Sequence, residues 1–304
     1  MAARQRVVVV GSLNFDLVVE SSRLPVAGET VLGGMFRTAA GGKGANQAVA
    51  AARIGAQVSM LGCVGQDKYG RELLASLRTD RVDVRRVRRV TEPTGVGLIV
   101  VEHRGENLIV VAPGANECLS PADIVAAQPL FARANVVVAQ LEIPLETVVA
   151  AAHTAHQAGA TFVLNAAPAR TDLDALLRHV DVMIVNETEL TSIAGLGDEE
   201  MAARTVLERG PRGVVITLGA RGALVVDHQA ATRIAAFAVD AVDATAAGDA
   251  FVGALAARFR GLESLVEAAQ YASAAAGLAC TRPGAQSSLP SASEVERLLA
   301  NAQR

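Results

Sequence analysis

The chain has no tryptophan, and its aromatic residues make up only 3% of 304. That scarcity excludes a base-stacking platform for single-stranded nucleic acid, which needs aromatic faces. Positive charge is not in excess: 28 Lys and Arg stand against 31 Asp and Glu, a net charge of −3. Nucleic acids and anionic membrane surfaces attract basic proteins, so neither is an expected partner. No apolar run approaches the roughly 20 residues of a spanning helix. The Val7–Val10 run before Gly11-Ser12 is too short for a secretory leader and lacks its cleavage pattern. Cys63, Cys118 and Cys280 are odd in number and far apart, so neither a disulfide framework nor a metal knuckle is indicated. With 51% hydrophobic and 19% charged residues, disorder is excluded as the main state. A soluble, cytoplasmic α/β protein is expected. No linker or internal repeat divides the chain, so 1–304 reads as a single domain.

Lysine is also scarce. Lys43 and Lys68 are the only two, in a chain rich in Ala and Arg, so a retained lysine is mildly informative.

Short β-rich runs recur at Val7–Val10, Val58–Leu61, Val136–Ala139, Phe162–Leu164, Val182–Val185 and Val214–Thr217. They do not alternate with polar residues, which fits strands buried on both faces of a parallel sheet. Between them, helical spacing marks Ala45–Ile54, Arg71–Leu77, Leu145–Gln157, Glu200–Glu208, Ala250–Phe259 and Leu262–Ala279. The alternation implies a doubly wound, mostly parallel sheet flanked by helices. Leu17–Ala40 and Val96–Val111 break the rhythm, the second with a hairpin turn at Arg104-Gly105-Glu106. Both are expected to form a small β-sheet lid, over about 15–40 and 94–112.

The strongest chemical signal is Asp243-Ala-Thr-Ala-Ala-Gly-Asp249-Ala-Phe-Val-Gly253. Ala246, Ala247 and Gly248 precede a helical run, where free N–H groups and the helix dipole attract anions that small residues let approach. Asp249 falls in the first turn. Amides beside a carboxylate suit phosphoryl transfer: the amides stabilise charge on the moving group and the carboxylate takes the hydroxyl proton. An ordinary helix start with an acidic first turn has the same pattern.

Ala40-Gly41-Gly42-Lys43-Gly44-Ala45-Asn46-Gln47 leads into another helix. It is not a Walker A loop, because Gly44 follows Lys43 where Ser or Thr is required. Nor does a dinucleotide fingerprint follow Val7–Val10. The glycines allow a ligand to touch backbone; a glycine turn capping a helix is the plainer reading. Asn14 and Asp16 follow the first strand, and Glu142 follows the Val136–Ala139 strand, at the carboxyl ends where open parallel sheets bind ligands. With Lys43 and Asn46 they offer the mixture of donors and acceptors that sugar hydroxyls demand. Asn186-Glu187-Thr188-Glu189 suits either a magnesium–phosphate site or a helix cap. Thr217-Leu218-Gly219-Ala220-Arg221-Gly222 closes a further strand in a glycine-permissive turn. His153 and His156 lie three apart on one helix without further ligand spacing. No Gly-x-Ser-x-Gly elbow is present.

Taken in order, Asn14-x-Asp16, Gly41-Gly42-Lys43-Gly44-Ala45-Asn46-Gln47, Asn186-x-x-Glu189, Thr217-x-Gly219-x-x-Gly222 and Ala246-Ala247-Gly248-Asp249 resemble the ribokinase/phosphofructokinase-B family of sugar kinases. The resemblance runs from near residue 7 to near residue 290. It implies ATP-dependent phosphorylation of D-ribose at its 5-hydroxyl, with Mg2+ and a monovalent cation such as K+. It implies Asp249 as catalytic base and Ala246-Ala247-Gly248 as the anion hole. It places Asn14, Asp16, Gly41, Gly42, Lys43, Asn46 and Glu142 around the sugar. Asn186, the Thr217–Gly222 turn, Gly248 and Ser273 would lie along the nucleotide, with Glu189 helping the magnesium. Asp243, Thr245, Ala279, Arg282, Gly284 and Ser288 would supply oxygens to the monovalent cation, and the lid would make a homodimer. Two positions depart from the family pattern: Ala244 replaces the usual Thr or Pro, and Ser273 replaces a frequent Asn. A kinase of the same fold for another sugar, deoxyribose or a nucleoside is the nearer alternative. A non-catalytic sugar-binding protein is the remoter one.

Overall fold

The computed structural model describes residues 4–102 and 107–302. The chain runs β1 (Arg6–Val10), β2 (Asn14–Ser21), β3 (Phe36–Gly41), α1 (Lys43–Arg53), β4 (Gln57–Gly65), α2 (Lys68–Thr79), β5 (Asp83–Val90), β6 (Gly95–Glu102) and β7 (Asn107–Ala112). It continues through α3 (Pro121–Ala126), α4 (Gln128–Phe131), β8 (Val136–Ala139), α5 (Leu145–Gln157), β9 (Thr161–Asn165), α6 (Asp174–Leu177), β10 (Val182–Asn186), α7 (Glu187–Ala194) and α8 (Glu199–Leu207). It closes with β11 (Gly213–Thr217), β12 (Ala223–Asp227), β13 (Ala231–Ile234), α9 (Ala247–Arg258), α10 (Leu265–Cys280) and α11 (Ala292–Ala302).

The large sheet has the order β13-β12-β11-β10-β9-β8-β1-β4-β5. It is parallel from β5 through β11; β12 and β13 return antiparallel. The unbroken valines of β1 suit its place in the interior of the sheet. Val7 and Val9 join the apolar cluster on one face, with α1, α9 and α10. Val8 and Val10 join the cluster on the other, with α3, α5 and α8. A strand buried on both sides has no polar face to alternate with. β1 pairs with both β4 and β8, so the winding direction reverses between β1 and β8. That reversal opens a crevice beyond their carboxyl ends.

The second sheet, β3-β2-β6-β7, takes its strands from the two stretches that break the strand–helix rhythm. It is mixed: β2 pairs antiparallel with β3 but parallel with β6. The expected turn at Arg104-Gly105-Glu106 lies outside the described residues. Several helix bounds also differ from expectation. α1 begins at Lys43, α2 at Lys68 and α9 at Ala247, two or three residues early, and the Leu262–Ala279 helix is divided into a 3-10 turn at Leu262–Ser264 and α10.

Candidate active site

Two parallel helices bring the signal residues together. A methyl group at Gly253 of α9 would stand 2.6 Å from the Gln47 carbonyl and 2.5 Å from Ala50 Cβ of α1. Only glycine permits that approach. One turn back along each helix, Asp249 therefore meets Asn46 and Gln47. Asn46 Nδ2 donates to Asp249 Oδ2 at 2.9 Å, and Gln47 Nε2 donates to Asp249 Oδ1 at 2.9 Å. All three side chains are buried.

The start of α1 is set by Gly42, whose φ of 88° belongs to the left-handed region and whose added Cβ would stand 2.5 Å from the Asn14 amide. The chain so turned sends the Lys43 amide to Glu142 Oε2 at 3.3 Å, and Ser12 Oγ donates to the same oxygen at 2.5 Å. Asn14 is fixed from a distance: Asn116 Nδ2 donates to Asn14 Oδ1 at 2.7 Å while Asn116 Oδ1 accepts from the Leu13 amide at 2.9 Å. Asp16 rests between Gly41 and Gly97, where added Cβ atoms would come within 2.1 and 2.6 Å of its carboxylate.

These groups set one another's charge. Burial pushes Asp249 above the ordinary carboxylate range, against Lys43 and the two amides, which pull it down. A helix dipole alone favours a depressed value; the dry setting outweighs it. Burial works against charge on Lys43, but Asp249, Glu142 and Glu189 together push its pKa up. Asp16 is raised from 3.8 to about 7 by burial, then by Glu142 and Asp249.

That last shift has a consequence for stability. The folded chain holds the Asp16 proton between about pH 4 and 7, where the unfolded chain has released it. The group's favourable contribution is complete below the unfolded value and is lost as pH rises through the folded one. Asp16→Asn should therefore gain stability relative to wild type on going from pH 5 to pH 8, by about 1–2 kcal/mol after allowance for partial exposure. Thermal unfolding of both proteins at the two pH values measures it; an equal difference at both would contradict the assigned shift.

Two cavities meet beside Asp249. A polar one of about 140 Å³ is lined by Lys43, Asn165, Asn186, Glu189, Thr217, Ala246, Gly248 and Asp249. A larger, mainly apolar one of about 600 Å³ is lined by Thr217, Gly219, Ala220, Gly222, Phe237, Val239, Ala247, Gly248, Phe251, Ser273 and Gly277. Thr217 and Gly248 line both. The volumes and polarity suit a charged group in the first and a flat heterocycle in the second. A larger cavity, about 780 Å³, lies at the far end of α9 among Arg258, Glu263, Tyr271 and Glu296. Size alone would select it, but it has none of the signal residues.

At the junction, Ala246 is left-handed with φ 60° and caps α9. The Ala247 amide donates to the Ala244 carbonyl at 3.2 Å, so it is already engaged. Among the described residues no carbonyl accepts from the amides of Ala246 or Gly248. Asn186 and Glu189 form a reciprocal cap at the start of α7, each side chain accepting from the other's amide at 2.8 Å. Glu189 nevertheless faces the polar cavity.

Two residues expected along the nucleotide are placed elsewhere. Leu218 is buried in the core, and Arg221 turns to Glu187 and Glu199, the latter at 2.7 Å; neither lines the two cavities beside Asp249. The sequence reading missed Asn165, Asn116, Gln140, Phe237 and Val239. Asn165 and Gln140 end or follow strands, the same signal that marks Asn14 and Glu142. Phe237 and Val239 lie in an irregular stretch without periodicity and gave no signal.

Asp243 joins the loop before α9 to the loop after α10. Its Oδ1 accepts from the Thr245 amide and its Oδ2 from the Gly284 amide, both at 2.8 Å. Burial opposes its charge, but those amides and Arg37 hold its pKa below the usual range. Among the described residues the carbonyls of Thr245, Arg282, Gly284 and Ser288 accept no hydrogen bond, while that of Ala279 accepts from the Arg282 amide at 3.3 Å.

Known proteins resemble this chain over nearly its whole length. The model of the pfkB family carbohydrate kinases matches residues 4–292. A ribokinase of Haemophilus influenzae is 38% identical over 305 residues, covering 98% of this chain and 100% of that protein. A deoxyribokinase of Salmonella typhi is 34% identical over 300 residues, covering 96% and 98%. The structure of Arabidopsis thaliana ribokinase complexed with ribose and ATP superposes with a TM-score of 0.88 at 31% identity, covering 98% of this chain and 99% of that one.

Proposed function

This chain belongs to the pfkB family of carbohydrate kinases, and on that premise we propose that it phosphorylates D-ribose at the 5-hydroxyl, with ATP as donor. The observation that carries the reading is the position of Asp249: a buried carboxylate at the start of α9, beside Lys43, where the polar and apolar cavities meet. The apolar cavity takes the adenosine and the polar one the transferring phosphoryl group. The 5-hydroxyl approaches Asp249, which still has acceptor capacity beyond its two amide donors and takes the hydroxyl proton as the phosphoryl group arrives. The Gly248 and Ala246 amides and Lys43 balance the charge on that group. Asn14, Asp16, Asn46, Glu142 and the Gly41-Gly42 backbone hold the other hydroxyls. Asn46 Oδ1 is buried without a partner among the described residues, an acceptor that a sugar hydroxyl satisfies.

The donor set also fits magnesium. Among the described residues no three His, Cys, Asp or Glu side chains are placed to hold a metal ion. Mg2+ needs no such cage, since it keeps waters and binds chiefly through substrate phosphates with one or two carboxylates. Glu189, with Asn186, is the group that would hold it, and the ion would neutralise charge on the β- and γ-phosphates.

The Asp243 region fits a large, weakly hydrated cation such as K+, through a carboxylate and free carbonyls. Its effect is to keep the α9 amides in the geometry the reaction needs. Potassium should raise kcat/KM over sodium at matched ionic strength, and Asp243→Ala should remove most of that difference. Indifference of the wild-type enzyme to potassium would refute the ion site.

The second sheet serves as a lid over the sugar, and its exposed Leu98, Ile109 and Val110 support a homodimer formed there. Among the described residues no helix is long and apolar enough to cross a membrane, and the use of ATP supports a cytoplasmic setting.

Initial rates with ATP and a panel of sugars test the reading. Ribose should exceed 2-deoxyribose in kcat/KM, because a site that pairs hydroxyls leaves polar groups unsatisfied when one is removed, at about 1–3 kcal/mol per group. Equal constants, or a preference for deoxyribose, would reassign the chain to the deoxysugar kinases that the Salmonella relative represents.

A further inference from the structure

Gln47 is wholly buried, so it is beyond the reach of any ligand in the crevice. Its amide is nevertheless fully used. Nε2 donates to Asp249 Oδ1 and to Asn165 Oδ1, each at 2.9 Å, and Oε1 accepts from Gln140 Nε2 at 2.6 Å. Gln140, also wholly buried, follows β8 in a slot that Gly11 keeps open, since a Cβ there would stand 2.0 Å from Gln140 Oε1. Gln140 Oε1 is left without a partner among the described residues, and with Asp249 ionised only one orientation of the Gln47 amide serves it. Reversed, its oxygen would face two other oxygens and its nitrogen would face the Gln140 donor.

We propose that Gln47 is a positioning residue for Asp249, its amide locked by Gln140 so that one carboxylate oxygen is held fixed while Asn46 holds the other at the sugar side. The inference rests on Asp249 being the base. It assigns the chain Gln140–Gln47–Asp249 two tasks: to orient the carboxylate and to favour its ionised form, since a donor stabilises charge on the oxygen it faces. The other charged groups around Asp249 are Lys43 on α1, Glu142 after β8, Asp16 on β2 and Glu189 on α7. The Gln47 donor acts in addition to them.

The test is Gln47→Glu, which keeps the shape and the acceptor for Gln140 but sets a second carboxyl against Asp249 in place of the amide donor. We expect kcat to fall about tenfold to a hundredfold, the usual effect of a misplaced catalytic group. The sugar KM should stay within about twofold. The acid limb of kcat at saturating sugar, which reports groups in the loaded site, should move up by about one pH unit. Gln140→Leu leaves Gln47 in place and should change kcat and the acid limb in the same direction by less. The double variant should be no slower than Gln47→Glu alone, because both act through one contact. An acid limb that stays at the wild-type position in both single variants, or additive losses in the double, would overturn the proposal. Should Gln47→Glu fail to fold, Gln140→Leu carries the same pH test. Asp249→Asn in the same assay separates the two levels. If it retains turnover, the base assignment fails; if it is inactive while the Gln47 and Gln140 variants keep the wild-type acid limb, only the positioning role fails.

Discussion

Asp249→Asn is expected to lower kcat by about 10²–10⁴, the range lost with a positioned base, and to leave ribose affinity nearly unchanged. The two amides that face this carboxylate give the substitution a clear physical meaning. Asn46 and Gln47 both donate, to different oxygens. An asparagine at 249 offers them one acceptor and one conflicting donor, so one of the two bonds is lost. Against that, the variant no longer places a carboxylate in a dry site that pushes its pKa up. The fold should therefore survive while the proton acceptor is gone. Steady-state kinetics beside calorimetric ribose binding measure both quantities. Turnover close to wild type in a folded Asp249→Asn protein would remove Asp249 from the mechanism.

The second large effect is expected at Gly248. A Cβ built there meets nothing within 4 Å, so the protein itself has room for alanine. Alanine is also the better helix former, by roughly 0.5–1 kcal/mol. The open space is the junction of the two cavities, both lined by Gly248. A methyl group there stands between the backbone amide and an arriving phosphoryl group. Gly248→Ala should keep or slightly raise Tm while kcat/KM for ATP falls by about 10²-fold, the lower end for loss of an anion-stabilising donor. Unchanged kinetics would mean that nothing charged approaches this amide. A lowered Tm would mean that the glycine serves the fold.

Much of the architecture is legible without coordinates because it rests on local chemistry. The valines of β1 show no polar alternation, and that is enough to place the strand inside a sheet covered on both faces. The Asn186 and Glu189 pair is readable as a helix cap, and the structure has that cap. β5 was missed for an equally local reason. Its buried Val84, Val87 and Val90 are three apart, separated by exposed arginines, a spacing unlike a strand's period of two. The wall of the apolar cavity, Phe237 and Val239, belongs to irregular chain, where no period exists to detect.

The candidate reacting groups are likewise marked by local pattern: small residues before a helix, an acid in its first turn, glycines before a lysine. Their states are not. Gln47 and Asp249 are 202 positions apart, and Asn116 reaches Asn14 across 102. Both contacts follow from how helices and loops pack, through the Gly253 approach of α9 to α1 and the turn at Gly42. An isolated first-turn aspartate is a strong acid under a helix dipole. Packed away from water, Asp249 becomes a weaker acid and a better base, although Lys43 and two amides pull the other way. Asp16, drawn toward Glu142 and Asp249, rises to about 7. Residue types and helix starts are properties of short segments, so the sequence determines them alone. Burial and the distance between charges are properties of packing, so the tertiary structure decides which carboxylate holds its proton.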